Sequence, residues 1–125
     1  MTHARRPLFW VGSSKDDLKR FPAAVQDVMG YGLDLAQRGA KHPDAKPLRG
    51  FGGAAVVEIV ADADRATFRT VYTVAFTHAV YVLHAFQKKS KRGIATPKPE
   101  IEMVKRRLKL AEQHYETTYG KGPKR

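Results

Sequence analysis

Between Val56 and Phe86 the chain carries three β-prone runs joined by turns too short to hold a crossover, and no other stretch constrains the fold as much. Val56 to Val60, Thr67 to Ala75 and Ala79 to Phe86 are rich in the β-branched and aromatic residues that fit a pleated surface. Asp62-Ala63-Asp64 and Thr77-His78 separate them. Connections of this length join only antiparallel neighbours, so the three runs predict a meander.

Helical signals flank it. Leu8 to Val11 reads as a first strand ending at Gly12, and Ser13 or Ser14 offers an N-cap, with Asp17 at capping-box distance from Ser14. That short helix should stop near Phe21, because the residue before Pro22 disfavours the α region. Pro22 suits the first turn of a second helix running to about Arg38, with Val25, Val28, Gly32 and Leu35 on one face and Gly39 just past its end. Residues 40–53 read as a loop, as does Gln87 to Pro99. Pro99 then opens a last helix whose apolar stripe is Ile101, Val104, Leu108, Ala111 and Tyr115, opposite Lys105, Arg106 and Lys109. The order β-α-α-β-β-β-α predicts an α+β fold, a small antiparallel-rich sheet with helices packed on it. One domain over residues 1–125 is expected, with its core at about 8–115 and a basic tail at 116–125.

Composition narrows the function classes. The absence of cysteine excludes a disulfide scaffold, a thiolate metal site and a cysteine nucleophile, and it fits a reducing cytoplasm. The longest apolar runs fall far short of the roughly 18 residues that span a membrane, and no apolar signal core follows Arg5-Arg6. A soluble, cytoplasmic protein with no membrane partner is expected. Charge is the strongest compositional signal. The net charge is +11, and Phe86 to Arg125 holds twelve basic against four acidic residues. Such a basic third on a near-neutral body suggests a polyanion partner; the alternative is a solvated helix with a basic tail.

No phosphate-binding glycine loop, H-E-x-x-H or paired metal-ligand spacing occurs among the five histidines, so no metal or cofactor is assigned. There remains a basic cluster converging on the sheet. Arg69 lies in the third strand, in phase with Val71 and Thr73, and either binds a phosphate bidentately or pairs with Glu58 across the strands. The fourth strand runs into His84-Ala85-Phe86-Gln87-Lys88-Lys89-Ser90-Lys91-Arg92, and Lys46 and Arg49 precede the second. His84 is either a hydrogen-bonded strand residue or a proton-transfer group, and Phe86 either packs in the core or stacks on a base.

These stretches resemble a known family. Lys46-Pro-Leu-Arg-Gly50 before a strand with Glu58-Ile59, then Phe68-Arg69-Thr70-Val71-Tyr72, then His84 to Ser90 followed by Thr96-Pro97, are similar to the RelE/ParE toxin superfamily, and within it to the HigB-type, phage Gp49-like branch. The resemblance implies a microbial-RNase-like fold and the toxin of a type II toxin-antitoxin system, held inactive by a cognate antitoxin, a small helix-turn-helix protein. It also implies a ribosome-dependent, metal-independent mRNA endoribonuclease. There the ribose 2′-hydroxyl attacks the neighbouring phosphate and leaves a cyclic phosphate and a free 5′-hydroxyl. Carried over, Arg69, Lys88 and Lys89 fall at the scissile phosphate, while Lys46, Arg49, Phe86, Lys91 and Arg92 are RNA-binding candidates. RelE itself has two lysines in the second strand where this chain has Glu58 and Val60, so His84 or Glu58 is the candidate base. Two other readings stand beside it: a ParE-like toxin that blocks gyrase, and a non-catalytic phage-related nucleic-acid-binding protein.

Overall fold

The computed structural model describes residues 5–52, 55–88 and 96–120. The elements in chain order are β1 (Leu8–Trp10), α1 (Ser14–Lys19), α2 (Ala23–Gln37), β2 (Lys46–Pro47), β3 (Val56–Ala63), β4 (Ala66–Thr73), β5 (Val80–Lys88) and α3 (Lys98–Tyr119). The sheet runs β1-β5-β4-β3-β2, an α+β arrangement. Its centre is the antiparallel meander that the three β-prone runs predict. β1 joins its edge parallel to β5, with Phe9 opposite Tyr81. A parallel neighbour needs a long return path. Here that path is everything from α1 to β4.

Strand boundaries differ from expectation at several points, with β1 ending at Trp10 and β4 at Thr73 rather than Ala75, and three of the differences have a local reason. The β3–β4 turn is Asp64-Arg65, with φ of 51° and 64°. Both residues in the left-handed region make the tight turn whose twist matches the flanking strands. Asp62 therefore stays in the strand, where Thr67 Oγ1 donates to it at 3.1 Å. β5 continues two residues beyond Phe86, because Gln87 and Lys88 find partners in Phe68 and Thr67. Lys88 is thus a strand residue and not part of a loop. Within residues 40–53, Lys46 and Pro47 pair with Glu58 and Val57 as the short strand β2.

The sheet is covered on both faces. One core cluster joins Leu18, Val25, Met29 and Leu33 of α1 and α2 to Ile59, Phe68, Tyr72 and Val82. The other joins Val104, Ala111 and Tyr115 of α3 to Val71, Tyr81, Leu83 and Phe86. Burial on both faces explains why β5 reads as a continuous apolar run with no polar alternation. A bulge interrupts its ladder: Val71 opposes His84 while Tyr72 opposes Val82, so Leu83 has no cross-strand partner. The extra residue re-aims the strand beyond it, and Leu83 and His84 both turn toward α3.

The helices obey the sequence signals with two corrections. Pro22 is the N-cap of α2 and not a first-turn residue, and the buried face of α2 is Val25, Met29, Gly32, Leu33 and Ala36. Val28 and Leu35 are only half-buried, so the face is rotated from the expected stripe. At α1 the N-cap is Ser13, but its hydroxyl donates to Asp17 Oδ2 at 2.7 Å and caps no backbone N–H. Ser14 is buried and donates to the Val82 carbonyl at 3.1 Å, tying α1 to the middle of β5. In α3 the apolar stripe is as expected, and Pro99 lies in the first turn.

Two glycines of α2 make opposite predictions. A Cβ on Gly32 would lie 2.1 Å from Ile59 Cδ1, in the packed core, whereas Gly30 has nothing within 4 Å. Overpacking costs about 1–3 kcal/mol, and helical alanine gains about 0.5–1 kcal/mol over glycine. Chemical denaturation should therefore show Gly30→Ala stabilised by about 0.5–1 kcal/mol and Gly32→Ala destabilised by about 1–2 kcal/mol.

Candidate functional site

The sheet gathers most of the sequence candidates on one face. Directly opposed residues share a face, as do residues two apart along a strand. One rung reads Lys46, Glu58, Val71, His84; the next Val60, Arg69, Phe86; the third Asp62, Thr67, Lys88. Lys46, Glu58, Arg69, His84, Phe86 and Lys88 thus occupy three neighbouring rungs on the side that α3 covers. Arg49 is exposed in the turn after β2, beyond the paired rungs. Lys89, Lys91 and Arg92 lie outside the described residues.

The inner layer of this face is a network of charged and polar groups. Arg69 Nη1 donates to Glu58 Oε1 at 3.2 Å, and the two side chains are only 4% and 11% exposed. Glu58 lies diagonally across the β3–β4 ladder from Arg69. Thr96, just before α3, donates to the same Oε1 at 3.0 Å. Of the two readings that the sequence left open for Arg69, pairing with Glu58 is realised.

His84 sits between two residues of α3. Its Nε2 is 2.5 Å from Glu100 Oε1, and its Nδ1 is 3.4 Å from Arg107 Nη1. A guanidinium only donates, so Nδ1 is the acceptor, and the proton sits on Nε2, facing the carboxylate. Both ring nitrogens are therefore engaged. The Phe86 ring stacks on the imidazole at a centroid distance of 4.9 Å and is itself buried, so it walls the site and offers no open stacking face. Glu100 keeps a third of its side-chain surface in solvent. That makes it the more accessible proton acceptor of this pair.

Arg107 ties the network to α1. It donates to the Leu83 carbonyl at 3.0 Å and to Ser13 Oγ at 3.2 Å. Burial lowers its pKa while Asp17 pulls the other way. The guanidinium packs so closely over Gly12 that a Cβ there would lie 2.8 Å from Cζ, and Gly12 also has φ of +58°. Only glycine meets both conditions.

Thr96, Glu100 and Arg107 are the residues of this site that sequence reasoning missed. Glu100 and Arg107 are seven positions apart on α3, which places them on one helix face with Val104 and Ala111. Charged residues in phase with an apolar stripe were the available signal. The outer layer is basic: Lys46 is exposed on the edge strand β2, and half-exposed Lys88 ends β5. Among the described residues no three histidine or carboxylate side chains cluster as metal ligands. No described helix is long and apolar enough to cross a membrane.

A carboxylate–imidazole pair beside surface cations, on a sheet face closed by a helix, has the parts for proton transfer next to a phosphate. No curated protein and no solved structure matches the chain. A family model does match, over residues 16–109, from α1 to the middle of α3, and so includes the described site residues from Lys46 to Arg107. The chain belongs to the phage-derived Gp49-like proteins (DUF891).

Proposed function

We propose that this protein is the toxin of a type II toxin-antitoxin system, of the HigB type, and cleaves mRNA on the ribosome. The observation that carries this reading is the three-rung face, on which Glu58, Arg69, His84 and Lys88 stand together with Lys46 at the edge. Membership of a phage-derived family and the resemblance to RelE/ParE toxins support it. The partners are the ribosome and its mRNA, in the cytoplasm, and a cognate helix-turn-helix antitoxin.

In this reading the 2′-oxygen forms a bond to phosphorus as the bond from phosphorus to the 5′-oxygen breaks. The 2′-proton passes to Glu100, with His84 holding that carboxylate in place, and the leaving 5′-oxygen takes a proton from water to end as the free hydroxyl. Lys88 stabilises the extra charge of the phosphate together with Lys89, the next cation in the sequence, while Lys46, Arg49, Lys91 and Arg92 contribute to RNA binding. Phe86 is a packing residue behind His84. Arg69 acts through Glu58: the pair is buried, and its service is to hold β3, β4 and the start of α3 in register.

A reconstituted translation reaction with primer extension tests this directly. We expect cuts that require ribosomes. Glu100→Gln should slow them about 10²–10⁴-fold and Lys88→Ala about 10²-fold, with unfolding midpoints unchanged. Ribosome-dependent cleavage by Glu100→Gln at the wild-type rate would remove Glu100 from the reaction.

The ion pair makes a second prediction. Arg69→Met leaves a buried carboxylate without its countercharge and should cost about 3–5 kcal/mol, whereas Glu58→Leu combined with Arg69→Met should recover most of that loss. The double variant is expected to cleave within about tenfold of wild type, the change left to a positioning pair. A loss beyond about 10³-fold in this folded variant would instead put Arg69 at the phosphate.

One observation favours a different activity. With Arg69 neutralised by Glu58, and Glu58 and Val60 where RelE has lysines, the inner layer carries little net positive charge. A ParE-like toxin that blocks gyrase by protein contact needs no such charge. Intact mRNA together with inhibited gyrase supercoiling would establish that reading instead.

A further inference from the structure

We propose that a groove at the opposite end of the sheet from the three-rung face binds the phosphate ester of a nucleotide. The three rungs lie at the end of β5, from His84 to Lys88. The groove lies before its start, where Arg6 leads into β1, α2 ends at Arg38, His78 precedes β5 and α3 ends at Tyr119. Its volume is about 610 Å³, room for a nucleotide unit. It shares no residue with the three-rung face, so it is independent of the ribonuclease reading.

The arginines are arranged for an anion. A single carboxylate, Asp34, holds two of them: Oδ1 is 2.6 Å from Arg5 Nη2 and Oδ2 is 3.2 Å from Arg38 Nε. Both guanidinium groups remain more than half exposed, at 56% and 61%, so their remaining N–H donors face the groove and solvent. Arg6 is fixed through its backbone, which exchanges hydrogen bonds with Gln37 at 2.9 and 2.8 Å. Its guanidinium passes over Gly39, and it forms no ion pair among the described residues. Three arginines against one carboxylate leave a surplus of positive charge. Rigid guanidinium forks suit phosphoryl oxygens.

Beside them stands a flat surface for a base. His78 is exposed, yet its ring is held by tyrosines, stacked at 12° to Tyr115 and 5.6 Å from Tyr119. The His78 backbone N–H donates to the Tyr115 hydroxyl at 3.2 Å, which locks the segment. A fixed aromatic face next to clustered arginines matches a nucleotide, base against ring and phosphate against guanidinium. An acidic peptide would leave the ring unused. The phosphate ester has two sources, a free mononucleotide or one residue of an RNA strand.

The test measures binding of AMP by calorimetry and of a fluorescein-labelled RNA decamer by anisotropy, both in about 150 mM salt. Arg6→Gln combined with His78→Ala keeps the backbone hydrogen bonds of both residues and removes only the ring contacts of His78 with Tyr115 and Tyr119, so the unfolding midpoint should stay close to wild type and is measured alongside. Arg106→Ala, on the solvated face of α3, controls for the loss of one positive charge. We expect the groove variant to weaken one or both ligands about tenfold or more, and Arg106→Ala less than twofold. AMP binding that the groove variant abolishes identifies a free nucleotide; an effect on the RNA alone identifies a strand. Equal losses in the two variants, no loss in the groove variant, or no binding of either ligand by wild type would overturn the proposal.

Discussion

A charge buried in a sheet must find a partner, and the Glu58–Arg69 pair is the constraint around which this structure is arranged. A carboxylate or guanidinium taken out of water alone costs several kcal/mol, so each residue makes the other tolerable. The diagonal contact needs β3 and β4 in one register. A slip of either strand by one residue would turn its charge toward the α2 face, into a cluster of aliphatic and aromatic side chains, and leave the other charge unpaired. Thr96 gives the same Glu58 oxygen a second donor and so fixes where the chain enters α3. The energy of the pair is close to neutral on balance; its value is that it admits a single arrangement.

That fixed corner determines the position of α3. The helix lays Val104, Ala111 and Tyr115 over the sheet, and its polar contacts at Glu100 and Arg107 fall on the bulged part of β5. Without the bulge, His84 would alternate with Leu83 and point at α2. With it, the imidazole meets Glu100, and Arg107 reaches past the Leu83 carbonyl to Ser13 at the start of α1. The irregularity that weakens one ladder contact thereby links helices on opposite faces of the sheet. Gly12 is the backbone accommodation that lets the guanidinium through.

Most of the fold was legible because its signals are local. Short turns imposed the meander, Pro22 and Pro99 marked helix starts, and the α3 stripe named its own buried face. The features that escaped were set by contacts distant in sequence. β2 is two residues held only by pairing with β3, and Gln87 and Lys88 are strand only because β4 extends beside them. In the site, strand alternation placed Glu58 and Arg69 together, so their pairing could be foreseen. Glu100 and Arg107 could not be joined to His84 by any spacing rule. Their meeting depends on a bulge and on how a helix docks, and neither leaves a pattern in the residues themselves.

The distribution of charge carries the functional argument further than its total does. A chain with net charge +11 does not spread that charge evenly in depth. The inner residues of the three-rung face are paired off, Arg69 with Glu58 and His84 between Glu100 and Arg107, while exposed lysines sit at the rim. Buried cations satisfied by fixed partners hold geometry, and exposed ones attract and orient a polyanion through a field that salt weakens. Attraction of a polyanion at the rim and fixed geometry in the inner network are therefore separable in this protein. The rim can change its charges without disturbing the fold, whereas the network beneath it changes only as a unit.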